Sequence, residues 1–246
     1  MQQEHVDWFE SWFGSPYYHI LYEHRDQLEA QAFVEELINY LQPLPHSTMA
    51  DIACGEGRYS IQLAEHGFDV KGIDLSHASI EKAKKSEREN LHFFVHDMRF
   101  PFYINYFDYA FNFFTSFGYF ATYRDHVMAA KSFAKGLKRK GLLVIDYLNK
   151  EHTLSNLVAE ETVIRGKYEF RLKRTLENDH FLKDIYFTDN EGRERHFRES
   201  VAAFTLADFI RMFKEAGLSL IGTFGDYQLN SYHPLDSPRM IMIFKK

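Results

Sequence analysis

The stretch Asp51-Ile52-Ala53-Cys54-Gly55-Glu56-Gly57-Arg58-Tyr59-Ser60 decides how this chain folds. An apolar run from Met49 to Ala53 leads into it, and the residues from Arg58 to His66 suit a helix, so the segment reads strand, glycine turn, helix. Glycine lets backbone approach a ligand closely and adopt conformations that other residues resist. A dinucleotide-binding turn has the spacing G-x-G-x-x-G and aims its helix N-terminus at a diphosphate. Here Ser60 stands where the third glycine would fall, and Asp51 puts an acid at the strand end. A carboxylate in that place repels a diphosphate and suits a cationic, amino-acid-like group.

Working outward, the pattern repeats. A strand is predicted over Asp69–Leu75 and a helix from Ser76, whose hydroxyl can cap the first-turn amides. Strands follow at Leu91–Met98 and Tyr109–Phe114, then a helix with Val127, Ala130, Phe133, Ala134 and Leu137 on one face, then a strand at Leu142–Leu148. Upstream, Ala30, Phe33, Val34, Leu37, Ile38 and Leu41 recur at helical spacing over residues 28–41. Strands alternating with helices predict a doubly wound, mostly parallel α/β sheet. After Lys150 the texture changes: Tyr168, Phe170 and Leu172 alternate with charged residues, Asn178-Asp179 is turn-prone, Phe181–Phe187 follows, and a third stretch begins at Arg193. This reads as an antiparallel β insertion. Thr205 and Asp208 then make a capping-box start, Gly217 a helix stop, and Leu218–Phe224 and Met240–Phe244 two closing strands. The expected organisation is a helical cap (1–45), a Rossmann-like core (46–150), the insertion (151–204) and completion of the core sheet (205–246).

Composition narrows the function. The formal charge of −6 offers no positive field to gather nucleic acid or an anionic membrane surface. With Cys54 the only cysteine, an intrachain disulfide and a Cys-rich metal site are excluded. No stretch approaches eighteen consecutive apolar residues and the first dozen residues lack a secretory pattern, so the expectation is a cytoplasmic protein. Aromatic residues reach 17%, a high share; most are expected to fill the core, and some in the loops to wall a binding site.

Asp74 and Asp97 end the second and third strands as Gly-Ile-Asp74-Leu75-Ser and His96-Asp97-Met98. Together with Asp51 they set three acids along the carboxyl edge of a parallel sheet, where open α/β sheets bind ligands. In this register the turn resembles motif I of class I S-adenosylmethionine-dependent methyltransferases, an acid followed by x-G-x-G-x-G, with Ala53 in place of the first glycine. The resemblance runs over nearly the whole chain and is similar to small-molecule N-methyltransferases of the glycine and amino-sugar types. It implies a seven-stranded sheet of order 3-2-1-4-5-7-6 and S-adenosyl-L-methionine as cofactor, leaving S-adenosyl-L-homocysteine as product. It further implies that Asp51, Ala53, Gly55 and Gly57 shape the cofactor turn, Asp74 and Leu75 hold the ribose, Asp97 and Met98 clamp the adenine, and Phe114 borders the cofactor. Arg25 would pair with the methionine carboxylate; its other reading is a surface arginine beside Asp26.

The segment Asn112-Phe-Phe-Thr-Ser-Phe-Gly-Tyr-Phe120 follows the fourth strand, where the transferred methyl would point. It lacks the Asn/Asp-Pro-Pro-aromatic motif of base-amine methylation, and no second cysteine exists for ring attack on cytosine. Phe117 and Tyr119, with Tyr147, are candidates for an acceptor wall, against the alternative that they simply fill the core. Tyr18 and His233 are candidate catalytic residues, although exposed histidines are common among 13. Asp146 and Asn149 have the look of a metal-dependent site, but the loop after the fourth strand adds no acid, so no metal is assigned. The expected activity is methyl transfer to a nitrogen, less readily an oxygen, of a small molecule, with no nucleic-acid or membrane partner. The insertion is expected to serve as a lid or a homodimer contact. Two other classes stay open: a protein that binds S-adenosylmethionine without transfer, and an NAD-dependent oxidoreductase.

Overall fold

Alternation of short apolar runs with amphipathic stretches produces, in the computed structural model, the elements expected of it and several more. The described residues are 8–22 and 27–246. Helices α1 (Trp8–Phe13), α2 (Pro16–Tyr22) and α3 (Gln27–Leu41) come first. Then follow β1 (Thr48–Ile52), α4 (Arg58–Glu65), β2 (Asp69–Asp74), α5 (His77–Ala83), β3 (Leu91–Val95), β4 (Phe107–Asn112), α6 (Tyr123–Gly136) and β5 (Leu137–Leu148). A short α7 (Lys150–Ser155) precedes β6 (Glu160–Arg165), β7 (Tyr168–Glu177), β8 (His180–Thr188) and β9 (Glu194–Ala202), and α8 (Leu206–Glu215), β10 (Ser219–Phe224) and β11 (Arg239–Lys245) close the chain.

The chain divides into two compact units, Asp26–Thr153 with Phe204–Lys246, and Met1–Arg25 with Leu154–Ala203. The larger holds a seven-stranded sheet of order β3-β2-β1-β4-β5-β11-β10, which is the expected order once the insertion strands are numbered. Neighbours among β1 to β5 run parallel, while β11 is antiparallel to both β5 and β10. Phe33, Val34 and Leu37 of α3, Leu63 and Ala64 of α4, and Ile80 of α5 bury themselves with Met49, Val70, Phe111, Val144, Ile241 and Ile243. Phe133 of α6 and Phe209 and Phe213 of α8 instead gather around Phe117, and Phe213 stacks on Phe244. Since side chains alternate along a strand, Ile243 and Phe244 of β11 assign these two clusters to opposite faces of the sheet.

Local signals decide the helix ends. Ser76 Oγ accepts from the Ser79 amide at 3.2 Å, capping α5 as expected. Thr205 and Asp208 form a full capping box on α8, and Gly217, at φ 83°, ends it.

In the smaller unit β6-β7-β8-β9 form an antiparallel meander. The hairpin between β7 and β8 turns on Asn178 and Asp179, with φ 49° and 56°, the left-handed pair that a two-residue turn of primed type requires. Strand β6 was not foreseen: its residues Glu-Glu-Thr-Val-Ile-Arg carry no long apolar run, because it is an edge strand whose alternate residues face solvent. One face of the meander buries Phe170, Leu172, Ile185 and Phe187 against Trp12 and Leu21 of the two short helices. Trp12 Nε1 and the Tyr22 hydroxyl both donate to Glu199 Oε1 at 2.7 Å, fastening those helices to β9.

Candidate functional site

Strand β1 delivers Asp51 into the interior with only 1% of its surface exposed. The Ser60 hydroxyl, on α4, donates to Asp51 Oδ2 at 2.5 Å. Burial nonetheless dominates and pushes the Asp51 carboxyl up to about 7. The turn that follows is left-handed at alternate residues: Ala53 (φ 60°), Gly55 (57°) and Gly57 (85°). Each position has its own reason. A Cβ on Gly57 would lie 2.5 Å from Phe93 Cζ, so this glycine lets α4 pack against β3. A Cβ on Gly55 would meet nothing within 4 Å, so this half-buried glycine borders open space. Ala53 takes the same geometry with a side chain, at a cost of about 1 kcal/mol.

Asp74, at the end of β2, is gripped by two backbone amides. Gly55 N donates to its Oδ2 and Ser76 N to its Oδ1, both at 2.8 Å. Each oxygen retains lone-pair capacity, which suits the two hydroxyls of a ribose. Burial raises the Asp74 carboxyl above its ordinary value. Leu75, next in sequence, is half-buried.

Asp97 lies just past β3, but it is not bare. Its oxygens accept from Arg99, the amide at 2.8 Å to Oδ1 and Nε at 2.8 Å to Oδ2, with Nη2 at 2.6 Å from Oδ2. Arg99 was missed in the sequence, where the Asp-Met-Arg spacing of an Asx turn was its only signal. Met98 between them is half-buried.

At the end of β4, Asn112 Nδ2 donates to Ile52 O at 2.9 Å and so ties β4 to the residue preceding the glycine turn. Phe114 follows, half-buried, with the Arg58 guanidinium 5.9 Å from its ring centre. The two polar residues at the end of β5 are occupied by the protein itself. Asp146 is fully buried and paired with Arg239 at 2.7 Å. Asn149 Nδ2 donates to Pro234 O at 2.9 Å and Ser237 O at 2.8 Å, which anchors the last loop.

The acceptor-side candidates fare differently. Phe117 and Tyr147 each show no exposed surface. Phe117 sits among Phe133, Phe204, Phe209 and Phe213, and Tyr147 packs on Phe209 with its hydroxyl where a Cβ on Gly118 would stand. Both are core residues here rather than walls of an open cleft, because an apolar pattern reads the same for either. Tyr119 is half-buried. His233 is exposed in a turn closed by its own amide donating to Ser237 Oγ at 2.8 Å. Tyr18 belongs to α2 in the smaller unit, where its ring meets those of Trp12, Phe13 and Tyr22. Arg25 lies outside the described residues.

A 3-2-1-4-5-11-10 sheet with a glycine turn after β1 and acids at or just past the ends of β1, β2 and β3 is the Rossmann-like architecture that the resemblance to S-adenosylmethionine-dependent methyltransferases implied. Comparison with known proteins agrees: residues 49–141 match the family model described as a methyltransferase domain, and the chain carries that domain. YqeM of Bacillus subtilis (strain 168), whose methyltransferase name is provisional, is 35% identical over 129 residues, covering 49% of this chain and 51% of its own length. The chain thus spans about half the length of that relative. The glycine/sarcosine N-methyltransferase of Parasynechococcus marenigrum (strain WH8102) is 27% identical over 218 residues, 83% of this chain and 74% of that protein. Among solved structures, the sugar N-methyltransferase KedS8 from Streptoalloteichus sp. ATCC 53650 superposes with a TM-score of 0.72 at 20% identity, covering 93% of this chain and 92% of that one.

Proposed function

We propose that the protein transfers the methyl group of S-adenosylmethionine to a nitrogen atom of a small molecule. The observation that carries this is the Asp74 carboxylate, held by the amides of Gly55 and Ser76 beside the open side of the glycine turn. A cationic nucleoside laid along this edge follows the strand order: adenine towards Asp97 beyond β3, ribose at Asp74 on β2, and the amino-acid and sulfonium end towards β1 and β4. The cofactor supplies an activated methyl, and the residues of this chain supply orientation and exclusion of water. Asp51, buried near the end of β1, favours a positive charge close by once it is ionised.

Nitrogen is favoured over oxygen on chemical grounds. A hydroxyl acceptor needs a positioned base, whereas an amine only has to lose a proton near its own pKa. Asp146, the acid beside the end of β4, is committed to Arg239. The names of the glycine/sarcosine and sugar N-methyltransferases support the same choice and a small acceptor. The net charge of −6 argues against a polyanion, and among the described residues no helix is long and apolar enough to cross a membrane. Action in the cytoplasm is part of this proposal.

The test is label transfer from methyl-labelled S-adenosylmethionine to a panel of amino acids, primary amines and amino sugars, their hydroxyl counterparts, and RNA. Label in an amine is expected. Label confined to hydroxyl compounds or to RNA contradicts the proposal. Binding of S-adenosylhomocysteine with no transfer to any of them marks a binding protein, and thermal protection by NAD alone marks a dehydrogenase.

A further inference from the structure

Just after β4 the backbone turns left-handed twice running, at Phe114 and Thr115, both with φ 56°. Neither is glycine, and side-chain-bearing residues persist in that region only where their surroundings over-determine them. The surroundings here centre on an ion pair between the fully buried Asp146 and the half-buried Arg239. Asp146 Oδ2 accepts from the Phe114 amide at 2.8 Å, and Asp146 O accepts from the Thr115 amide at 2.9 Å. Arg239, on β11, closes the arrangement: its Nε donates to Asp146 Oδ1 at 2.7 Å and its Nη2 to Thr115 Oγ1 at 2.9 Å. The Tyr227 hydroxyl donates to Asp146 Oδ2 at 3.1 Å. Every hydrogen bond of this set therefore either binds the turn directly or holds the aspartate that binds it.

The turn occupies the place where chemistry is expected. Phe111 on β4 pairs with Asp51 on β1, so Phe114, three residues on, stands beside the glycine turn. With adenine and ribose assigned to the ends of β3 and β2, the sulfonium end reaches this part of the edge. Displacement at a methyl carbon requires nucleophile, carbon and sulfur in line, and a misplacement of about 1 Å costs on the order of a hundredfold in rate.

We propose that Arg239 is a positioning residue for methyl transfer: through Asp146 and Thr115 it sets the Phe114–Thr115 turn as the wall that aligns the acceptor with the sulfonium. The proposal rests on the methyl-transfer reading above. Arg239 stays protonated and cannot serve as a base, and its charge is balanced by Asp146, so it acts through what it holds. A guanidinium is needed because one planar group must reach two oxygens at once, which an ammonium on a single stem does less well. The alternative is a pair that merely stabilises the sheet, and that alternative predicts a different pattern of losses.

The test uses the full chain with Arg239→Lys and Arg239→Met. The readouts are thermal unfolding, S-adenosylhomocysteine affinity by calorimetry, and kcat and KM for the amine acceptor that the label panel identifies. Expected for Arg239→Lys is a kcat lower by about tenfold to a hundredfold, with cofactor affinity and KM within about threefold of the unaltered protein. Arg239→Met, which leaves Asp146 buried without its partner, should lose at least as much kcat and also melt earlier. If it does not fold, Arg239→Lys alone decides. A folded Arg239→Lys protein with unchanged kcat, or one whose kcat falls only in proportion to its cofactor affinity, overturns the proposal. If the unaltered protein methylates no amine, the underlying reading fails and the proposal falls with it; an active protein indifferent to Arg239→Lys overturns the proposal alone.

Discussion

Replacing Asp74 by alanine separates two jobs of one carboxylate. On the ligand side it removes the acceptor assigned to two ribose hydroxyls. Those hydroxyls return to water in the free ligand but lose a charged partner in the complex, a net loss of about 1–3 kcal/mol. That corresponds to roughly fivefold to 150-fold weaker binding. On the protein side the Gly55 and Ser76 amides lose their acceptor. At about 1 kcal/mol for each bond, the fold loses about 2 kcal/mol, a fall in Tm of roughly 4–8 °C for a chain of this size. The second effect confounds the first, since a slackened glycine turn binds less well whatever the ribose does. The assay is therefore a cycle of titrations at 25 °C, with S-adenosylhomocysteine and its 2′-deoxy analogue, on the unaltered and Asp74→Ala proteins. The unaltered protein should prefer the ribose form, and the variant should lose most of that preference. Equal discrimination by both proteins, with the variant shown to be folded, refutes the ribose assignment even if overall affinity has dropped.

Other outcomes follow from the same geometry. Asp51, raised by burial to about 7 from an ordinary 3.8, keeps a proton in the folded protein at pH values where the unfolded chain has lost it. Stability should fall as pH rises from about 4 and level off above about 7, and Asp51→Asn should flatten that slope in urea titrations at a series of pH values. A cationic ligand favours the ionised form, so the affinity for S-adenosylmethionine, which carries the sulfonium, should climb with pH towards 7 and then level; no such climb, with the unaltered protein folded throughout, contradicts a charge role for Asp51. Gly57→Ala sets a methyl 2.5 Å from the Phe93 ring at φ 85°, and should cost more than about 2 kcal/mol in denaturant unfolding. Glu199→Ala strips the Trp12 and Tyr22 donors of their acceptor, and a loss of about 2–4 kcal/mol should show as earlier melting followed by tryptophan fluorescence.

How much could be read from residues alone depended on whether the cause was local. The glycine turn, the Ser76 cap, the Thr205–Asp208 box and the Asn178-Asp179 hairpin were legible because each is fixed by side chains within a few positions of one another. The sheet order came through resemblance, since alternation of strands and helices limits topology without selecting one. Strand β6 was hidden by its half-solvated pattern. Arg239 was hidden by distance: it stands 93 positions from Asp146, and nothing near either residue announces the pair. Asp146 was weighed as a metal ligand and set aside for want of a second acid, with nothing in the sequence to show that its partner is a guanidinium. Phe117 and Tyr147 show the converse limit, because an aromatic residue at the carboxyl end of a strand or just after it is equally suited to a cleft and to a core, and only packing decides.

The most direct measurement is a crystal structure of the protein with S-adenosylhomocysteine. The assignment of ligand groups to strand ends puts both ribose hydroxyls on the Asp74 carboxylate, the adenine edge at Asp97–Met98, and the sulfur facing the Phe114–Thr115 turn. A ligand seated elsewhere, or one whose ribose leaves Asp74 bound only to Gly55 and Ser76, contradicts it.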